Sequence, residues 1–120
     1  MSNRFVVSLS CGPDQPDRAT VAFTLANAAL GSDKETVVFL SSDGVELAVN
    51  GAADDVAEKG FTPLKQLMAA FAEGGGEIYV CLPCFNKREL DQENLVAGGL
   101  IVGGPKLVAF MSEGVPSVSY

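Results

Sequence analysis

Three short runs of unbroken apolar residues recur along this chain, and each is followed by a stretch built for a helix. "RFVVSL" (4–9), "TVVFL" (36–40) and "EIYVC" (77–81) have strand length and are rich in Val, Ile, Phe and Tyr. Their apolar residues run together instead of alternating with polar ones, which predicts strands buried on both faces, as in a parallel sheet. After the first run, "SCGPDQPD" forms a turn, with Gly12, Pro13 and Pro16 as breakers. Ala19, Ala22, Phe23, Ala26, Ala29 and Leu30 then recur at helical spacing and predict a helix over 17–30, with Asp17 as N-cap and Gly31 as its stop.

The rest of the chain repeats the pattern. "SSDG" after the second run predicts a short helix from Gly44 to Val49, capped by Asp43, and 50–61 is irregular. From Pro63, the residues Leu64, Leu67, Met68, Phe71 and Ala72 mark one helix face, closed by "GGG" at 74–76. A short helix starts near Pro83, because proline suits a first turn. A fourth strand is expected at 99–102. A helix follows from Pro105 with Leu107, Val108 and Met111 inward, and "PSVSY" supplies the last strand. The glycines of "VGGP" (102–105) are expected to serve close helix–strand packing, with a cradle for a small anion at the helix start as the alternative. Strand–helix alternation of this kind predicts an α/β, flavodoxin-like five-stranded parallel sheet with helices on both faces. At 120 residues, 1–120 is expected to form a single domain.

Charge and composition exclude several functions. The net charge is −7, from 15 acidic and 8 basic residues, with no basic stripe, so nucleic acid is not an expected partner. No apolar run reaches the roughly 18 residues of a membrane span, and the start carries no secretory signal core. A cytoplasmic, non-membrane protein is expected, and three cysteines, an odd number, suit a reducing compartment. Histidine is absent. Its absence removes Ser-His-Asp and Cys-His catalysis, His-ligated zinc and a histidine general base.

What remains is thiol chemistry. Cys81 and Cys84 form a C-x-x-C pair around Pro83 in "IYVCLPCFNKREL". In an open parallel sheet, ligands gather at the carboxyl ends of the strands. Cys11 follows the first strand, Cys81 ends the third, and Cys84 stands in the helix start beyond it, so all three are expected at one edge. A helix start lowers a cysteine pKa, and Lys87 and Arg88 add positive charge, which favours Cys84 as the thiolate. Such a thiolate can attack a disulfide or accept sulfane sulfur, and its partner can resolve the adduct. Inert buried thiols are the competing reading, since free cysteine is commonly buried. Thioredoxin-type chemistry fits less well, because the pair follows the third strand. A metal site is not expected: three thiols without histidine leave zinc a ligand short. "GPDQPDR" lacks the glycine spacing of a phosphate cradle, and no cofactor is expected. Asp43 reads as a helix cap, with a catalytic carboxylate as the alternative.

Four segments, taken in order, carry a family resemblance: "GPDQPDRATVAFTLANAAL", "VVFLSSDGVELAV", "GGGEIYVCLPCFNKREL" and "LVAGGLIVGGPKLVAFM". Together the chain resembles the DsrE/DsrF-like (YchN-like) family, in the C-x-x-C subgroup sometimes labelled predicted peroxiredoxins. The resemblance implies a flavodoxin-like fold assembled as a homotrimer or homohexamer. It implies a sulfur-carrier or sulfurtransferase-like role, with sulfur-donor and sulfur-acceptor proteins as partners. It makes Cys81 the persulfide acceptor and Cys84 its assisting or resolving thiol. Relay members usually close this segment with arginine–glycine, whereas here Arg88 precedes Glu89. The alternative class is a non-enzymatic oligomeric module that binds a small ligand or a protein partner at the carboxyl edge of the sheet.

Overall fold

A computed structural model describes residues 3–120. The three apolar runs become adjacent central strands. β1 (Arg4–Leu9) lies parallel to β2 (Glu35–Leu40), in register from Arg4 opposite Glu35 to Leu9 opposite Leu40. β3 (Glu77–Cys81) adds to β2, and β4 (Gly99–Val102) adds to β3 with Cys81 opposite Val102. β5 (Ser117–Ser119) returns to the free side of β1, where Val6 faces Ser117, giving the order β4-β3-β2-β1-β5. Among the described residues every pairing between these strands is parallel, with one isolated antiparallel bridge, Val49 to Leu95, outside them.

That order decides where the helices go. The first four strands advance in one direction, so right-handed crossovers put their connections on one face. α1 (Pro16–Gly31) and α2 (Leu64–Glu73) lie there, over rows such as Val7–Val38–Ile78 and Leu9–Leu40–Val80. The rings of Phe23 and Phe71, both fully buried, meet edge to face at 5.9 Å between these helices. Burying each ring contributes about 1.5–3 kcal/mol. The last connection reverses direction, so α4 (Gly104–Met111) crosses the opposite face, where Phe110 meets Tyr79 edge to face and packs with Val6, Val37 and Val102. Helices cover both faces, as expected, but unequally. On the α4 side Leu100 stays 43% and Val108 68% exposed.

Local details correct several expectations. α1 starts at Pro16, with Gln15 and not Asp17 as N-cap. The proline read as a breaker opens the helix, at a position where its missing N–H leaves no bond unmade. Gly31 is the last helical residue, and the turn is made by Ser32 and by Asp33 at φ 61°. The short helix after β2 is a 3-10 helix, Ser42–Ala48, with Ser41 and not Asp43 as N-cap. In α4, Phe110 is the buried residue, while Val108 faces outward. A Cβ on Gly104 would meet open space and one on Gly103 only an ordinary contact, so close packing does not explain these glycines. Among the described residues, no helix is long and apolar enough to cross a membrane.

Candidate functional site

The carboxyl ends of β1, β2 and β3 converge on a knot of backbone. Past β2, Ser41 is extended and Ser42 turns sharply at φ 47°, which starts the 3-10 helix. That helix is pressed against the loop leaving β1. A Cβ on Gly44 would lie 2.4 Å from the Leu9 carbonyl oxygen, and one on Gly12 would lie 2.5 Å from that of Asp43. Only glycine permits two backbones to come this close.

β3 ends beside this knot. Cys81 is the N-cap of α3 (Leu82–Lys87), Pro83 stands in its first turn, and Phe85 anchors it in the core. Residues three apart share one face of a helical turn, so the thiols of Cys81 and Cys84 meet. The neighbouring thiol groups influence each other's ionisation, Cys84 raising the pKa of Cys81 and Cys81 lowering that of Cys84. A hydrogen-bond donor arrives from across the edge: the Ser42 backbone N–H, 3.2 Å from Cys84 Sγ. Arg88 donates from Nη1 to the Cys84 carbonyl at 3.1 Å and from Nη2 to Asp43 Oδ1 at 2.8 Å. Glu89 then leaves the helix at φ 51°, the left-handed conformation that glycine would adopt without strain.

These contacts give the two thiols different ionisation. The Cys81 thiol lowers the Cys84 pKa most, and burial, the next largest effect, opposes it. The Ser42 N–H and the charges of Arg88 and Lys87 lower it further, and the balance is downward. Burial pushes the Cys81 thiol up and the Cys84 thiol adds to the rise, against the opposing effects of the Cys84 backbone and the Arg88 charge. The pair is therefore biased towards a thiolate on Cys84 and a retained proton on Cys81. This agrees with the helix-start argument and runs opposite to the acceptor order that the family resemblance implies.

Cys11 lies at the same edge but is buried, and its thiol is pushed up by burial and then by Asp14. The other charges acting on it are Arg18 and Asp43. Among the described residues, no three His, Cys, Asp or Glu side chains gather closely enough to hold a metal ion. A cavity of about 170 Å³, lined in part by Val49, Met68 and Val96, contains none of the cysteines.

Two participants escaped the sequence. Ser42 enters through its backbone, for which "SSDG" carries no signal. Asp43, read as a cap or a lone carboxylate, is tied to an arginine 45 positions away. Only the positive charge of Arg88 beside the cysteines was legible, not its partner.

A five-stranded parallel α/β layer with a C-x-x-C pair at its carboxyl edge defines a recognisable class of protein. The chain belongs to the DsrE/DsrF-like family, whose model matches residues 3–117. Over its full length the fold is similar to the crystal structure of the ychN protein from E. coli, with a TM-score of 0.82, 17% identity and 100% of both chains covered. It is also similar to MTH1491 of Methanobacterium thermoautotrophicum, a protein of unknown function, with a TM-score of 0.67, 18% identity and 98% of both chains covered. At these identities the likeness concerns the fold alone. Among curated sequences, two uncharacterised proteins of Methanocaldococcus jannaschii are 29% identical. MJ0989 matches over 92% of this chain and 93% of its own length. MJ0760 matches over 91% of this chain, which spans only 39% of that longer protein.

Proposed function

We propose that the protein carries sulfane sulfur as a cysteine persulfide, with Cys84 as the attacking thiolate and Cys81 as its proton-bearing partner. The observation that carries this reading is the Ser42 N–H aimed at the Cys84 sulfur at 3.2 Å, with the neighbouring Cys81 thiol acting in the same direction on its ionisation. A thiolate is the nucleophile in sulfur transfer, and both contacts favour it. In the forward step the Cys84 thiolate attacks the outer sulfur of a donor persulfide. The new S–S bond leaves the donor as a thiolate. An acceptor thiolate then attacks the outer sulfur of Cys84 persulfide and releases Cys84. When no acceptor arrives, Cys81 attacks Cys84 Sγ and expels hydrosulfide. That step reduces the carried sulfur and oxidises the two cysteines to a disulfide.

The test is an intact mass after exposure to a small persulfide donor. One added sulfur is expected in the unmodified protein and in Cys81→Ser, where the adduct should last longer. Cys84→Ser should gain none. Gain in Cys84→Ser with loss in Cys81→Ser would return the acceptor role to Cys81. No gain in the unmodified protein refutes the reading.

The same proposal includes a homotrimer or homohexamer, supported by the apolar Leu100 and Val108 left exposed on the thinly covered face. It includes donor and acceptor proteins as partners and a reducing cytoplasm, the latter supported by three free cysteines. The family match over residues 3–117 supports one domain.

A further inference from the structure

Ser42 is a non-glycine residue at φ 47°, a conformation that L-residues keep only under constraint. Its N–H is the sole backbone donor recorded on Cys84 Sγ among the described residues. The next residue, Asp43, supplies the constraint: its carboxylate receives Arg88 Nη2, while Arg88 Nη1 holds the carbonyl of Cys84 itself. One guanidinium thus ties the 3-10 helix to the peptide of the cysteine it faces, and the Ser42 N–H closes the ring.

We propose that Asp43 and Arg88 are positioning residues, whose ion pair holds the Ser42 N–H on the Cys84 sulfur so that a negative sulfur is stabilised there. This rests on the sulfur-carrier reading only for the use to which that sulfur is put. The ion pair itself is half-exposed at Asp43, with side-chain exposures of 23% for Arg88 and 51% for Asp43. Such pairs contribute little to stability. The value of this one lies in the geometry it imposes.

The charges around Cys84 make the idea separable from simple electrostatics. Cys81, Lys87 and Arg88 face it from its own segment. Asp43 and Glu46, which act on Arg88, stand on the 3-10 helix, Cys11 and Asp14 lie on the loop after β1, and Arg18 is in the first turn of α1. Deleting the negative charge of Asp43 would, through charge alone, ease ionisation of a neighbouring thiol. Releasing the Ser42 N–H would do the reverse. The two accounts differ in sign.

The experiment is iodoacetamide alkylation across pH, resolved by cysteine with peptide mass spectrometry. In the unmodified protein Cys84 should react with a lower midpoint than Cys81. Asp43→Ala should raise the Cys84 midpoint and slow its reaction at neutral pH by about three- to tenfold, the effect of one weak charge-assisted hydrogen bond. Asp43→Asn keeps an oxygen acceptor for Arg88 and should fall between, and it decides the matter should the alanine variant not fold. Arg88→Lys keeps the charge but loses the fork that spans Asp43 and the Cys84 carbonyl, so it too should raise the midpoint. An unchanged or lowered midpoint in the Asp43 variants, or an unchanged one in Arg88→Lys, overturns the proposal. Sulfur uptake is scored separately on the same proteins. A shifted midpoint without uptake in the unmodified protein refutes sulfur carriage and leaves the clamp. Uptake with no shift overturns the clamp alone.

Discussion

Substituting Gly44 by alanine probes the knot on which the site is built. Gly44 is outside the left-handed region, so its backbone conformation alone would accept alanine. In open space the change would stabilise the chain by about 0.4–1 kcal/mol, by restricting the unfolded state. Here the new Cβ would lie 2.4 Å from the Leu9 carbonyl oxygen and 3.3 Å from that of Cys11. A normal C···O approach is roughly 3.3 Å, so the 3-10 helix and the end of β1 must part by about 1 Å. Both sides are backbone, and neither can swing away. The same Leu9 oxygen accepts the Ser41 N–H at 3.1 Å, a bond that the parting would break. Strain of about 1–3 kcal/mol, plus about 1 kcal/mol for the hydrogen bond, outweighs the entropic gain. The expected net loss is about 1–3 kcal/mol. Urea unfolding at fixed protein concentration measures it, with Gly31→Ala as control because its Cβ would meet nothing within 4 Å. Cys84 alkylation should slow as well, since the parting carries the Ser42 N–H off the sulfur. A Gly44→Ala protein as stable as the parent would refute the reasoning.

Two further outcomes are expected. Glu89→Gly should stabilise the chain by about 0.5–1 kcal/mol, because the left-handed φ of 51° disfavours a side chain, and the gain appears as a higher urea midpoint with an unchanged slope. Light scattering at micromolar concentration should give the mass of three or six chains, and replacing exposed Leu100 and Val108 together by charged residues should lower it.

The sheet was the legible part. Strands 4–9, 77–81 and 99–102 stand where their apolar runs predicted, and for the two inner ones this follows because a strand covered on both faces writes itself as a continuous apolar run. Helix starts were less legible. Pro16 reads equally as a breaker or as a first helical residue, and only the packing of Ala19 and Phe23 against the sheet selects the second. The cysteine pair and its edge followed from the C-x-x-C spacing and the end of a strand. The inequality between the thiols did not, for it depends on Ser42 and Asp43, which reach Cys84 through a fold contact and leave no periodicity behind. The arginine–glycine pair of the resemblance was missing from the sequence, yet the backbone at Glu89 keeps the turn. Residue identity and backbone conformation are separable where the surroundings over-determine the turn.

The order of the strands also sets a timetable. β1 to β4 each pair with a neighbour in sequence, so each of these pairings closes only one helix-bearing crossover. β5 is different: it pairs with β1 across most of the sequence, the Tyr120 N–H donating to the Ser8 carbonyl at 2.8 Å. Contacts of such long range are made late and slowly. Until they form, one edge of β1 is a bare row of amides and carbonyls, open to any passing strand. A three-residue strand therefore covers the edge that β1 would otherwise leave open.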